Sequence, residues 1–230
     1  MKPAGGRGLP ATPEVRLLKL PELTAREFAS RLARAAPAAE LDGRALEVLF
    51  THYQELRRWG AHTSLLGPRE AETLFERHYA ESLAALPLLP AGRANLLDLG
   101  SGAGFPGLVL AAARRDLQVT LVEPRARKWA FLSAVARRAA LSCRCLDARV
   151  TGNELPELPE TVDLVTARAL RVDPAAFANL ASKLAPDARL LLWTGQAEPE
   201  VPPRFVRGRQ VELAGSAHRF LREYRQHAPT

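Results

Sequence analysis

A cluster of glycines constrains the fold of this chain more than any other feature. Four of them fall within eight residues: Gly100, Gly102, Gly104 and Gly107. They separate an apolar run at 95–99 from a helix-like run at 105–114. Glycine adopts positive φ without steric cost and lets another group touch the backbone. A glycine-rich loop that leaves a strand and opens a helix is typical of α/β domains that bind nucleotide-like molecules, so we expect such a domain here.

The segments after this loop alternate between strand-like and helix-like patterns. The predicted strands cover 95–99, 118–123, 141–146, 162–167 and 189–193, and the predicted helices cover 105–114, 125–140 and 174–184. Two further β-like runs, about 204–213 and 218–225, close the chain. Alternation of this kind favours a parallel sheet with helices on both faces, and the final pair indicates an antiparallel edge. We therefore expect a Rossmann-like α/β domain over residues 91–230, with a seven-stranded, mostly parallel sheet.

The first ninety residues have a different character. Seven prolines and glycines within residues 1–21 predict a disordered tail. Thr24 and Glu27 have the spacing of a capping box, which begins a helix that stops near Pro37. A second helix is predicted from Asp42 to Gly60, and a third over 69–86. We expect residues 22–90 to form a helical segment packed on the α/β domain.

Composition narrows the class of protein. A chain of 230 residues can bury a core without metals or disulfides. Its two cysteines, Cys143 and Cys145, form neither a disulfide framework nor a zinc site. Apolar runs such as 107–113 end in charge, and the first fourteen residues contain no apolar core of a signal peptide. The expectation is a cytoplasmic monomer without metal or membrane contact.

The charge of the chain is basic. Its formal net charge is +7, and the stretch from Arg125 to Arg149 holds seven basic residues against Asp147 alone. A basic surface attracts polyanions, and nucleic acid is the first candidate. A GC-rich genome would also enrich arginine, so charge favours nucleic-acid binding without establishing it.

The spacing of the glycines indicates the cofactor. It reads G-x-G-x-G, which differs from the dinucleotide pattern G-x-G-x-x-G and lacks the Lys-Ser/Thr of a P-loop. Glu123 ends the second predicted strand, about twenty residues on, where a carboxylate can accept both ribose hydroxyls. This combination is typical of S-adenosylmethionine (SAM) and favours it over NAD. The alternative is a tight turn that binds nothing.

Longer motifs extend this pattern. The run Asp98 to Gly107 reads D-L-G-S-G-A-G-F-P-G, and related signals lie at 120–123, 148–150 and 166–169. Upstream, Trp59 and the stretch 77–82 have matching spacing. On these residues the chain resembles the glucose-inhibited division protein B family, the RsmG-type 16S rRNA (guanine-N7) methyltransferases. The resemblance covers roughly residues 40–225.

The resemblance implies a SAM-dependent methyltransferase fold, SAM as cofactor, and 16S rRNA or the small ribosomal subunit as partner. The expected cofactor-binding residues are Asp98, Gly100, Gly102, Gly104, Phe105, Glu123, Val150, Thr151 and Arg168. The expected substrate-binding residues are His78, Arg127 and Lys128. Most of them follow predicted parallel strands, at the edge where open α/β sheets bind ligands.

We name no catalytic residue. Guanine N7 carries a lone pair and no proton, so its attack on a methyl group needs alignment and water exclusion but no general base. The sequence agrees in lacking the Asn/Asp-Pro-Pro-aromatic motif of amino-group methyltransferases.

The chain departs from the family pattern at four positions. Ser64 and Leu66 stand where the family usually has Asn and Thr, Thr151 where an acidic residue is common, and Thr194 where a lysine is usual. These departures leave two alternatives open. One is a SAM-dependent methyltransferase for another, small-molecule substrate, and the other is a catalytically silent relative that binds RNA or the ribosome.

Overall fold

A single sheet of seven strands organises the computed structural model, which describes residues 19–67, 70–168, 173–215 and 218–226. The strands are β1 (Ala94–Leu99), β2 (Leu117–Val122), β3 (Cys143–Leu146), β4 (Val162–Arg168), β5 (Leu184–Thr194), β6 (Phe205–Glu212) and β7 (Phe220–Gln226). Their order is β3-β2-β1-β4-β5-β7-β6. The first five pair in parallel, and β7 runs antiparallel between β5 and β6. The predicted mostly parallel sheet with an antiparallel edge is confirmed.

Six α-helices lie in the described part of the chain. They are α1 (Ala25–Ala35), α2 (Gly43–Gly60), α3 (Glu81–Leu83), α4 (Gly107–Ala113), α5 (Ala126–Arg138) and α6 (Pro174–Leu180). The capping box before α1 is confirmed: the Glu27 amide donates to Thr24 Oγ1 at 3.2 Å, and the Thr24 amide donates to Glu27 Oε2 at 2.8 Å. Both bonds satisfy amides that a helix N-terminus otherwise leaves unpaired.

Side chains that alternate along the strands build two cores. On β1, Leu96 belongs to the larger core with α1, α2, α4 and α5, whereas Leu97 belongs to the smaller core with Phe177 and Leu180 of α6. Strand periodicity requires this division, because successive side chains point to opposite faces. Helices therefore cover both faces of the sheet, and the N-terminal helices share the face of α4 and α5.

The described part of the chain starts with ordered contacts. Residues 1–18 of the predicted tail lie outside the described residues. Leu20 is buried in the larger core, and the Tyr53 hydroxyl donates to the Pro21 carbonyl at 2.7 Å. The tail predicted to reach residue 21 therefore ends too late, since apolar burial and a hydrogen bond hold residues 20 and 21.

The prediction of one continuous helix over 69–86 was wrong. The chain instead forms a π-helix over Leu74–Ala80, the single turn of α3, and a 3₁₀ turn over Leu86–Leu88. Within the π-helix, the carbonyl of Arg77 accepts a hydrogen bond from the guanidinium of Arg168. A side chain that bonds into the carbonyl ladder distorts a helix. Apolar periodicity cannot reveal a partner that is 91 residues away.

Every helix among the described residues is too short or too polar to cross a lipid bilayer. Nor do these residues bring together three or more His, Cys, Asp or Glu side chains that could hold a metal ion.

Candidate active site

A cavity of about 700 Å³ opens at the carboxyl ends of the parallel strands. Its walls come from the glycine loop after β1, from Glu123 after β2, from residues 148–151 after β3, and from Arg168 at the end of β4. Loops that follow adjacent parallel strands meet at one edge of the sheet, and this edge is where such sheets bind ligands. A volume of this size suits a cofactor-sized molecule.

The glycine loop curls over the end of β2. The amides of Gly100 and Ser101 both donate to the carbonyl of Val122, at 2.9 and 3.1 Å. Gly100 and Gly102 have φ angles of 68° and 57°, in the left-handed region that glycine adopts without steric cost. Both glycines line the cavity, and so does Phe105. The loop therefore presents backbone to the cavity.

Glu123 fastens the loop from the neighbouring strand. Its Oε2 accepts from the Gly102 amide at 2.9 Å, and its Oε1 accepts from the Arg125 amide, also at 2.9 Å. The side chain is nearly buried but lines the cavity. A carboxylate has about four acceptor positions, so two remain for a ligand.

Asp98 and Gly104 do not line the cavity, although the sequence places both among the expected cofactor-binding residues. The Asp98 carboxylate lies behind the loop, where it accepts from Thr166 Oγ1 at 2.6 Å and from the Gly107 amide at 3.3 Å. Burial raises the pKa of Asp98 to about 6. Gly104 packs against His52 and Leu108. In the structure both residues shape the loop from behind.

His52 and Tyr79 hold the loop from the opposite side, although neither is among the site residues expected from the sequence. His52 Nε2 donates to the carbonyl of Ala103 at 2.8 Å, while the Tyr79 hydroxyl donates to His52 Nδ1 at 3.0 Å. The His52 ring lies 5.0 Å from that of Phe105. Burial lowers the pKa of His52 to about 4, so the ring is neutral at pH 7. The only sequence signal is a polar residue on the apolar face of α2.

Replacing His52 by phenylalanine is expected to lower the free energy of unfolding by about 2–4 kcal/mol at pH 7, since the Ala103 carbonyl and the Tyr79 hydroxyl lose their partner.

The pH dependence of the free energy of unfolding should also change in this variant. Because the native pKa of about 4 lies below the unfolded value of 6.5, the unfolded chain binds more protons between these pH values, and stability rises with pH there. The variant should lack this rise. Urea unfolding at pH 5 and pH 7 measures both effects, and equal pH dependence in the two proteins would contradict the assignment of a neutral buried His52.

Residues 148–151 and α6 form one end of the cavity. Val150 and Thr151 line it together with Phe177. Thr151 Oγ1 accepts from the Glu154 amide at 3.0 Å, so this hydroxyl completes its own turn. Asp173, which the sequence analysis did not select, also lines this end and caps α6. A carboxylate is thus present near the position where the family usually has an acidic residue.

Arg168 closes the cavity on the side of the π-helix. It is the last residue of β4, and its Nη2 donates to Glu81 Oε2 at 2.7 Å. Glu81 is 3% exposed and its carbonyl accepts from the Trp193 indole at 2.8 Å. This buried ion pair joins the sheet to the helical segment.

Two of the three expected substrate-binding residues line the cavity. His78 lies there with its Nε2 3.3 Å from Glu70 Oε1, and burial lowers the pKa of His78. Lys128 donates to the Leu65 carbonyl at 3.2 Å, which ties α5 to the loop before the π-helix. Arg127 is exposed on α5 and does not line the cavity.

Thr194, which stands where the family usually has a lysine, contacts a different cation. Arg222 of β7 donates to the Thr194 hydroxyl and, from the same guanidinium, to the carbonyls of Gly195 and Gln196 at 2.9 and 3.2 Å. Arg222 is 3% exposed. Its hydrogen bonds therefore hold the loop after β5 in place from a buried position.

A family model described as GidB, rRNA small subunit methyltransferase G, matches residues 45–201. The chain belongs to this family. The match runs from α2 to the loop after β5 and so includes every strand that borders the cavity. The resemblance stated from the glycine-loop motifs is confirmed.

Curated relatives agree with the family match. A ribosomal RNA small subunit methyltransferase G of Desulfotalea psychrophila is 42% identical over 151 residues, which cover 63% of this chain and 68% of the relative. A protein of the same name from Salinispora tropica is 36% identical over 199 residues, which cover 84% of this chain and 73% of the relative. This chain, like its family, is a SAM-dependent methyltransferase.

Solved structures show the fold independently. A structure described as a SAM-dependent methyltransferase from Aquifex aeolicus aligns with a TM-score of 0.51 at 17% identity, over 64% of this chain and 90% of that one. The predicted Rossmann-like methyltransferase fold is confirmed.

Proposed function

We propose that this chain transfers the methyl group of SAM to N7 of a guanine in the 16S rRNA of the small ribosomal subunit. The family match over residues 45–201 carries this proposal, because it spans the elements that build the cavity. The curated relatives are named for methylation of small-subunit ribosomal RNA. The departures at Ser64, Leu66, Thr151 and Thr194 leave the cavity at the sheet edge intact.

The residues around the cavity fit SAM. Glu123 has two acceptor positions left after binding the amides of Gly102 and Arg125, and these suit the two ribose hydroxyls. Val150, Thr151 and Phe177 offer a partly apolar end for the adenine. When bound, SAM supplies an electrophilic methyl group on a sulfonium centre. The chain contributes a rigid loop and a closed wall that fix the orientation of both reactants.

No side chain of the cavity has to remove a proton, because guanine N7 has a free lone pair. The chain must align the base and exclude water. His78 and Phe105, whose rings lie 4.9 Å apart, border the cavity on the side of the π-helix and suit contact with the substrate base. Arg125, Lys128 and Arg149 add positive charge to the cavity walls, which suits a polyanionic substrate.

The test is methyl transfer from labelled SAM to small ribosomal subunits that lack N7 methylation, with the modified base mapped by N7-specific strand cleavage. We expect label at a single guanine. Fully modified subunits are the matched control and should accept none. If SAM binds but no subunit or naked 16S rRNA is labelled, the substrate is another molecule. If SAM does not bind, the chain is a silent relative and the proposal is wrong.

A further inference from the structure

Three arginines surround one buried glutamate beside the cavity. Glu81 Oε2 accepts from Arg168 Nη2 at 2.7 Å, and Glu81 Oε1 lies 2.7 Å from Arg219 Nη2. The charge of Arg77, one turn earlier in the π-helix, acts on both Glu81 and Arg168. We call Arg77, Arg168 and Arg219 the arginine cluster.

The arginine cluster holds more donors and more positive charge than the described residues around it use. Arg77 Nε, Arg168 Nη1 and Arg219 Nε are buried without a hydrogen-bond partner among the described residues. Buried donors are normally paired, and each unpaired one is costly. Glu81 neutralises one of the three guanidinium groups, and Glu70, which also acts on Arg168, lies against His78. Among the residues that the structure describes, at least one positive charge of the arginine cluster therefore has no counterpart.

The arginine cluster lies beside the cavity, and two of its three members line it. Arg77 and Arg168 line the cavity. Arg219 directly precedes β7, whose first residue, Phe220, pairs with Thr194 at the carboxyl end of β5. The side chains of Arg168 and Arg219 are 13% and 24% exposed. Both side chains thus keep part of their surface exposed, while Arg168 Nη1 and Arg219 Nε lie beneath that surface.

We propose that the arginine cluster is an oxyanion site that binds a backbone phosphate of the substrate RNA beside the target guanosine. A guanidinium N–H forms a strong, charge-assisted hydrogen bond with a phosphate oxygen. Glu81 engages Nη2 of Arg168 and of Arg219 and so holds both guanidinium groups in place, which leaves Arg168 Nη1 and Arg219 Nε as the donors for phosphate. Contacts to phosphate set the register of a nucleic acid on a protein. The inference rests on the proposed function, since it assumes an RNA substrate. The carboxylate of SAM is the other oxyanion that could bind at this edge of the sheet.

The experiment measures binding of unmodified 16S rRNA to Arg219→Gln at several salt concentrations. We expect a three- to tenfold loss of affinity and a reduction of about 0.7–0.9 in the slope of log K against log salt, as for one lost phosphate contact. Arg219→Lys keeps the charge without the fork and should recover part of the loss. The matched control is Arg225→Gln, which removes an arginine of the adjoining strand β7; like Arg219, Arg225 pairs with a buried glutamate, in its case Glu223. Arg225 pairs with Arg189 at the far end of the β5–β7 ladder. The slope of log K against log salt for RNA binding by Arg225→Gln should therefore stay unchanged.

A second experiment distinguishes binding of an RNA phosphate from binding of the SAM carboxylate. Calorimetry with SAM and with decarboxylated SAM should give Arg219→Gln the affinities of the unsubstituted protein. If Arg219→Gln binds SAM more weakly and decarboxylated SAM abolishes the difference, the site holds the cofactor carboxylate and the RNA assignment is overturned. An unchanged salt slope in both Arg219→Gln and Arg77→Gln would overturn it as well.

Failure of the phosphate site can be told apart from failure of the proposed function. Failure of the proposed function appears as absent methyl transfer by the unsubstituted protein. Failure of the phosphate site appears as normal RNA binding by the arginine variants of a protein that does methylate. Arg219→Gln leaves the Glu81–Arg168 pair in place, so the melting temperature should change by only a few degrees. If that variant unfolds, Arg219→Lys and Arg77→Gln supply the comparison.

Discussion

Glu123→Ala is expected to weaken SAM binding at least a hundredfold. A hydrogen bond to a charged group contributes about 1.5–3 kcal/mol, and each 1.4 kcal/mol is tenfold in affinity. The substitution removes the two acceptor positions that we propose for the ribose hydroxyls. It also leaves the amides of Gly102 and Arg125 without the partners they have at 2.9 Å, so the glycine loop loses its brace. Isothermal titration calorimetry measures the dissociation constant directly.

Two further variants make this result specific. Glu123→Gln keeps one acceptor oxygen and the shape of the side chain, so its affinity should fall between those of the alanine variant and the unsubstituted protein. Glu157→Ala removes a carboxylate whose side chain is 91% exposed, and it should bind SAM normally. An affinity of Glu123→Ala within threefold of normal would show that the cofactor lies elsewhere.

Gly107→Ala is expected to lower the free energy of unfolding by about 2–4 kcal/mol. Alanine normally stabilises a helix by about 1 kcal/mol relative to glycine. Here a Cβ would lie 2.5 Å from Asp98 Oδ2 and 2.6 Å from both Asp98 Cβ and Leu121 Cδ2. These atoms are buried, and insertion of a methyl group into a packed core costs about 1–3 kcal/mol or more. The displacement of Asp98 would also loosen Thr166 and the glycine loop.

The matched control is Gly43→Ala at the first residue of α2. A Cβ there would meet nothing within 4 Å, so stability should stay the same or rise by about 0.5 kcal/mol. Urea unfolding of both variants gives the comparison. Equal stability of the two alanine variants would show that α4 can move away from Asp98 at little cost.

The local elements of the fold were predictable from the sequence. Strand periodicity located β1 to β4 to within two residues at either end, since a buried strand needs a short apolar run between turn-forming residues. The helix predicted over 174–184 ended too late, because α6 stops at Leu180 and β5 begins at Leu184. Residues 184–188 carry alanine and proline instead of a clear β pattern. Of these residues only Leu184 pairs with β4, and regular pairing resumes at Arg189.

The candidate site was predictable in part. Residues that act through backbone or through a strand end, such as Gly102, Glu123 and Arg168, follow from motif and position, and the structure brings them to one cavity. Asp98 belongs to the same motif but does not line the cavity. Side chains of a strand alternate between the two faces of the sheet, and that of Asp98 points to the face covered by α4, where it is buried. His52 and Tyr79 lie in apolar helical patterns that give no sign of their contact with the loop.

The class of fold, the position of the glycine loop and the family all follow from the sequence. These depend on short-range patterns: hydrophobic period, turn chemistry and motif spacing. Three features become visible only in the folded chain: which side chains share the cavity, the π form of the third helical segment, and the position of Arg219 beside Glu81 and Arg168. The physical reason is that these features rest on hydrogen bonds and ion pairs between residues far apart in the chain, such as Arg168 to Glu81 and Arg77, which exist only after the helical segment has packed on the sheet.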